Sequence, residues 1–293
     1  VTLSYLALVG RIVLLGLERI FVKRLGEGRG SVESTFVFFA LAALYLLPVA
    51  AVFGTPAPQF LRFAVPSGLI SSLAFVFYVN SLSTGEVSLV SPVSNLTSLF
   101  LLFLAVAIRG ERFTLLKLVG TLAIVFGASL LQGPDGSGRD GRRSGRMGLL
   151  GLVRHPPALA MMVYAALLAV TRIIDKGGLG LVNPVTYALT YYTIIAISLG
   201  LFLAGRGQFG KAWALFVDRP VIALLAGVVN AYSYLLLLYA FTGLPLSLAE
   251  PLSSLSLFVT AFLGAAMFGE KVRGRLAAAA LIVLGSWLLL AQG

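Results

Sequence analysis

Residues 84–111 read TGEVSLVSPVSNLTSLFLLFLAVAIRGE, and residues 242–270 read TGLPLSLAEPLSSLSLFVTAFLGAAMFGE. Each opens on Thr-Gly, passes a proline, runs through an apolar stretch of helical length and closes on Gly-Glu. At an offset of 159, Pro92 matches Pro251, Gly110 matches Gly269 and Glu111 matches Glu270, and Gly68 and Gly227 in the preceding runs keep the same register. A second match lies near the start of each half, where Arg19-Ile20-x-x-Lys23 corresponds to Arg172-Ile173-x-x-Lys176. Self-similarity held in register marks an internal repeat, and it governs how the rest of the chain is read.

Composition sets the solvent. Of 293 residues, 59% are hydrophobic and 11% are charged, against about 25% charged in soluble domains. That excludes an ordinary soluble enzyme, a disordered chain and a disulfide scaffold, and leaves a polytopic membrane protein. The first apolar run has no basic leader and no small-residue cleavage site, so it reads as a span. Ten runs follow one another, at about 2–22, 35–53, 62–82, 87–108, 114–131, 157–173, 183–204, 219–241, 247–268 and 275–291. They are continuous rather than alternating, which predicts helices and not barrel strands. One long connection, rich in Gly, Ser and Arg over 133–156, divides the chain into a first half (1–132) and a second (157–293). Five spans is an odd number, so the second half enters the membrane upside down. An inverted repeat of this kind is typical of transporters.

The net charge of +11 sits between the apolar runs. It reads as topology signals and lipid contacts rather than nucleic-acid binding. There is no cysteine, and His155 is the one histidine, so no metal, thiol chemistry or cofactor is expected. Lys and Arg number 6 on the N-terminal side of the spans and 15 on the other, with Arg11 inside a span. The positive-inside rule then puts both termini outside.

Polar residues inside spans face a cavity or a partner. Span four places Ser91, Ser94, Asn95 and Ser98 on one helical stripe. The same offset maps these to Glu250, Ser253, Ser254 and Leu257 on span nine. The stripes either face each other across a substrate cavity or pack helix against helix through small residues. Glu250 could carry a coupling proton or pair with a cation, or it could sit at a helix N-terminus that favours its charge. Glu18 is a second candidate for coupling. If Pro92 and Pro251 open their helices, the freed N–H groups could bind anionic groups. Arg11, Arg19 and Arg172 suit a carboxylate or phosphate. Near helix ends, Arg19 and Arg172 could instead snorkel to the interface, with local pairing of Glu18 to Arg19 and of Arg172 to Asp175. Tyr78 and Asn80 on span three, and Asn230, Ser233 and Tyr234 on span eight, are further binding candidates. Tyr187, Tyr191 and Tyr192 on span seven fit an interface belt better. Gly110-Glu111 and Gly269-Glu270 read as a turn followed by a helix start with a carboxylate near its positive end.

Five plus five spans, a proline early in spans four and nine, and Gly-Glu-Arg or Gly-Glu-Lys before spans five and ten resemble the drug/metabolite transporter superfamily, with EamA-type members closest in length. The resemblance implies a ten-helix basket around a central cavity lined largely by helices three, four, eight and nine, and alternating access by secondary transport. An intramembrane enzyme would need clustered catalytic carboxylates or histidines, but the 11 acidic residues are scattered and His155 lies in the connection, so no enzymatic activity is expected. Many relatives are described with both termini in the cytoplasm, opposite to the charge count. Small multidrug relatives use a glutamate in the first span, but Glu18 sits later in its helix, beside Arg19. The expected protein is a transporter in a bacterial or archaeal cell membrane. Its partners are the bilayer and a small polar solute, amino-acid-like or otherwise carboxylate or zwitterionic. Cationic or aromatic drugs are the alternative cargo, and a lipid flippase of the same fold is the alternative activity. One chain holds both halves, so a monomer suffices.

Overall fold

The computed structural model describes residues 2–52, 58–84, 93–132, 155–259 and 276–291. Among these residues the chain is helical and forms no strand. The first half holds α1 (Thr2–Gly26), α2 (Ser31–Ala50), α3 (Leu61–Thr84, entered through a 3-10 turn at Pro58–Phe60), α4 (Leu96–Arg109) and α5 (Leu115–Gln132). The second holds α6 (Pro156–Gly178), α7 (Pro184–Gly205), α8 (Phe209–Asp218), α9 (Pro220–Gly243), α10 (Leu246–Ser253) and α11 (Leu276–Leu290). Local chemistry accounts for the ends. Proline opens α6, α7 and α9, where its missing N–H costs nothing. The Asn183 side chain caps α7 by accepting from the Thr186 N–H at 2.9 Å. Gly110 ends α4 with φ of 67°, a conformation that suits glycine.

Five helices are long and apolar enough to cross a bilayer: Ser31–Ala50, Pro58–Leu82, Pro156–Gly178, Pro184–Gly205 and Pro220–Gly243. α4, α5, the ninth-span segment and the end of α11 are shorter apolar helices. α1 has the length, but Arg11, Glu18 and Arg19 interrupt its apolar run. Apolar stripes face outward, such as Leu3, Leu6, Val9 and Val13 on α1 and Leu61, Val65, Leu69 and Leu73 on α3. Such stripes suit hydrocarbon and not water. α8 was not foreseen. It is a short helix between α7 and α9, with Ala212 and Leu215 buried and Phe209 and Trp213 exposed.

The packing pairs helices across the two halves. α1 lies on α9 as α3 lies on α6, and α2 on α9 as α3 on α7, while α2 with α7 and α5 with α11 pair with their own counterparts. Gly68 of α3 meets Ile194 of α7, and its repeat mate Gly227 of α9 meets Leu41 of α2. At one end of the bundle, Gly243 abuts Ser4, and Lys176 donates to the carbonyls of Phe241 and Leu244. The start of α1 and the end of α6 thus meet the same end of α9, so the first helices of the two halves run in opposite directions. At the other end, Arg29 pairs with Asp218 at 2.5 Å, and Arg219 donates to the Arg24 carbonyl.

Candidate functional site

Spans four and nine are both interrupted where the polar stripes lie. α4 begins only after a turn at Asn95, and α10 ends at Ser253 before a turn at Ser254 and Leu255. These are repeat-related positions. The Ser254 hydroxyl donates to Asn95 Oδ1 at 3.5 Å, so the two breaks touch. Pro251 sits inside α10 and does not itself open the helix. The N–H groups of Ser254, Leu255, Leu257 and Phe258 bond to carbonyls three residues back, at 3.0 Å each. The expectation that a break at Pro251 would free N–H groups for an anion therefore fails, because 3-10 bonds take them up. Ser91 and Pro92 lie outside the described residues, as do Gly269, Glu270 and residues 133–154 of the connection.

A cavity of about 60 Å³ opens beside the two breaks. Arg11, Glu18 and Arg19 of α1, Tyr78 of α3, Ser94 and Asn95 before α4, Arg172 of α6, and Glu250, Ser253 and Ser254 line it. Phe75, Thr97, Ser98, Tyr164, Leu15 and Leu168 complete the wall. The sequence-based candidates did not include Tyr164. It forms an aromatic face with Phe75 and Tyr78, with ring centroids 4.7 Å apart between Tyr78 and Tyr164 and 5.5 Å between Phe75 and Tyr164.

Arg11, Glu18, Arg172, Asp175 and Glu250 are buried and paired. Arg11 is 6% exposed, meets Glu18 at 3.4 Å and donates to the Ser233 hydroxyl. Arg172 is 2% exposed and stands between Asp175 at 3.4 Å and Glu250 at 3.7 Å. Its guanidinium also lies over the Tyr234 ring, 5.1 Å from the centroid. Snorkelling is thereby excluded for Arg172. Glu18 pairs with Arg11, one helical face away from the expected Arg19. Asp175 has no exposure and accepts from Ser67 at 2.5 Å, Tyr234 at 2.8 Å and Tyr187 at 2.9 Å. A buried carboxylate needs this many donors. Arg11 and Arg172 are buried and Arg19 is partly buried; set against Glu18, Asp175 and Glu250, they make the centre formally neutral.

Other candidates lie elsewhere. Tyr234 supports Arg172 from beneath, and Asn230 accepts from the Tyr192 hydroxyl at 3.1 Å; neither lines the cavity. Asn80 is on the exposed side of α3. Tyr187, Tyr191 and Tyr192 are at most 1% exposed, so they form a packed core layer and not an interface belt. Glu111 does sit at a helix start, but not that of its own span. It accepts from the N–H groups of Leu246 at 2.9 Å and Ser247 at 3.2 Å, and from the Ser247 hydroxyl, at the N-terminus of α10.

Known proteins place these features in context. A crystal structure of a protein 18% identical is similar in fold, with a TM-score of 0.73 over 99% of this chain and 97% of that one. A search of curated proteins finds no match. The model of the EamA-like transporter family matches twice, over residues 2–132 and 155–292. With one match on each half, and the cavity formed where the halves meet, the chain belongs to the EamA-like transporter family, a family of drug/metabolite membrane transporters and not of enzymes.

Proposed function

We propose that the protein is a secondary transporter that carries a small polar solute, a carboxylate or zwitterion, across a bacterial or archaeal cell membrane by alternating access through the central cavity. One observation carries the reading: buried charges of both signs line a single cavity where two inverted halves meet. Ionisable groups at membrane depth are costly and mark a substrate or ion pathway. At about 60 Å³ the cavity is far below the 300–1,000 Å³ of ligand pockets. This conformation is the contracted one, and binding requires the halves to part. Glu250 and Glu18 are the groups proposed to exchange a coupling proton. Arg19 and Arg172 belong to the centre, which removes one residue from each side of the charge count and keeps its sign, so the termini are proposed to lie outside.

The test is counterflow in vesicles containing the purified chain, over a panel of metabolites, with thermal stability read in parallel. A solute that binds only the folded state stabilises it by about 2.7 kcal/mol at a hundredfold excess over Kd. Counterflow of a carboxylate or zwitterion that Arg172→Ala abolishes is the expected result. Absence of flux for every solute sinks the proposal. The aromatic face supports a second reading, an aromatic cation as cargo, and flux confined to cations would establish it instead.

A further inference from the structure

α8 has three faces. Ala212 and Leu215 are buried, and the helix packs chiefly on α2, where Phe36 meets Phe209 edge-on with ring centroids 5.3 Å apart. Phe209, Trp213 and Val217 recur every four residues and so form one stripe. All three are exposed, Trp213 at 63%. Lys211 and Asp218, seven residues apart, share a third face, and both are exposed. At ten residues α8 is about 15 Å long, too short to cross a bilayer. Gly207, at φ of 65°, turns the chain out of α7, and α9 begins at Pro220. A short helix held on the bundle by one face, with an apolar stripe and a charged face left over, suits the plane of the membrane interface. Tryptophan is enriched at that level.

The charge beside the stripe is mostly of one sign. Residues 23–29 run from the last turn of α1 into the loop after it, and residues 206–219 run from the end of α7 to the start of α9. Together they hold six basic residues and two acids. The bases are Lys23, Arg24, Arg29, Arg206, Lys211 and Arg219; the acids are Glu27 and Asp218. Arg29 takes up Asp218 at 2.5 Å, and Arg219 donates to the Arg24 carbonyl. These two contacts join the segments into one patch. The Arg206 guanidinium lies over the ring of Phe202, 4.6 Å from its centroid, and Phe202 is itself exposed. A cation resting on an exposed apolar ring suits the level where hydrocarbon gives way to headgroups. A second copy of this chain, docked on the stripe about a two-fold axis, would set the patch against itself, and like charges repel. A phospholipid with an anionic headgroup matches both features at once. Its acyl chains cover the stripe, and its phosphate meets the bases.

We propose that α8 lies in the plane of the membrane interface and, with the end of α1, forms a binding site for an anionic phospholipid. Phe209, Trp213 and Val217 rest among the acyl chains, and Arg206 and Lys211 meet the headgroup. None of these residues lines the central cavity, so the site is independent of the solute carried there.

The experiment uses the full chain with Trp287→Phe, which leaves Trp213 as its sole tryptophan. It is placed in phosphatidylcholine vesicles with rising fractions of brominated phosphatidylglycerol or brominated phosphatidylcholine, and quenching of Trp213 is read. One basic residue at an anionic surface is worth about fivefold. Brominated phosphatidylglycerol should therefore quench at a mole fraction at least about fivefold lower than brominated phosphatidylcholine. Arg206→Gln with Lys211→Gln should bring the two lipids close to equal while quenching by phosphatidylcholine stays as it was. If Trp287→Phe fails to fold, the difference between wild type and Trp213→Phe reports the same residue. No quenching by either lipid means that the stripe is covered by something else, a second copy included, and overturns the proposal. Equal quenching in the parent chain overturns the anionic site, as does a preference that survives the double substitution. Loss of the preference on adding millimolar glycerol 3-phosphate means that the patch takes a free phosphate and not a lipid, and overturns it too.

Discussion

The seam between α5 and α11 and the centre between α1, α6 and α10 are packed in opposite ways. At the seam the backbones nearly touch. A Cβ on Gly285 would lie 2.6 Å from the Gly120 carbonyl oxygen, and one on Gly127 would lie 2.9 Å from that of Ala278. After Lys117 no ionisable residue occurs on α5, and α11 has none. Close approach through small residues gains dispersion and leaves no ion to satisfy, although the Thr121 hydroxyl of α5 is buried without a hydrogen-bond partner. At the centre, ions stand 3.4–3.7 Å apart around a cavity, and several donors lack partners. The seam holds the helices in one arrangement. The centre leaves polar groups unmet among the described residues. On the proposed function, stability and binding fall to different helix pairs.

Mutations can break that division, beginning at the centre. Arg172→Ala strands Asp175 and Glu250 and should lower stability by about 3–5 kcal/mol. Adding Asp175→Asn and Glu250→Gln should recover part of the loss, read as the denaturation midpoint in detergent. A triple variant less stable than the single one would mean that the ions are not coupled. Gly285→Ala comes next. Its methyl has no room against Gly120, and the strain should cost about 1–3 kcal/mol while leaving solute affinity unchanged. A change in affinity would join the seam to the binding site and erase the distinction. Glu111→Ala is the mildest, at about 1 kcal/mol, the usual worth of a helix cap. Glu111→Gln, which keeps an acceptor for one N–H, should fall between the two, and a result equal to wild type would show that the cap at α10 contributes nothing.

Much of the fold was legible because apolar length and register are local properties. The runs at 2–22, 183–204 and 219–241 anticipate α1, α7 and α9 to within a few residues. α8 was missed because its ten residues are too short for a span and lie in a stretch with charge on both sides. Of the site, the stripes of spans four and nine and the arginines of α1 and α6 could be read from spacing and repeat. What could not be read was the rotation of each helix. Asn80 follows Tyr78 by two residues, about 200° around a helix, so the face that sends Tyr78 inward sends Asn80 outward. The loop carboxylate of Glu111 was legible as a helix-end partner, but which helix it would reach depends on how the halves meet. Asp175 looked like local pairing because its donors, Ser67, Tyr187 and Tyr234, are distant in sequence.

The cross-half pairing has a consequence for how the molecule is made. α1 packs chiefly on α9, α3 on α6 and α5 on α11, so the first five helices have few lasting neighbours among themselves. They leave the ribosome before any of these partners exists. Arg11 is made long before Ser233 of α9, the hydroxyl to which it donates. During synthesis the early half must wait as a loose set of helices, with its charges covered by lipid headgroups or by the insertion machinery. α11, made later, then closes on α5. A stall in translation after the basic connection would therefore leave a chain that is inserted and still unfolded.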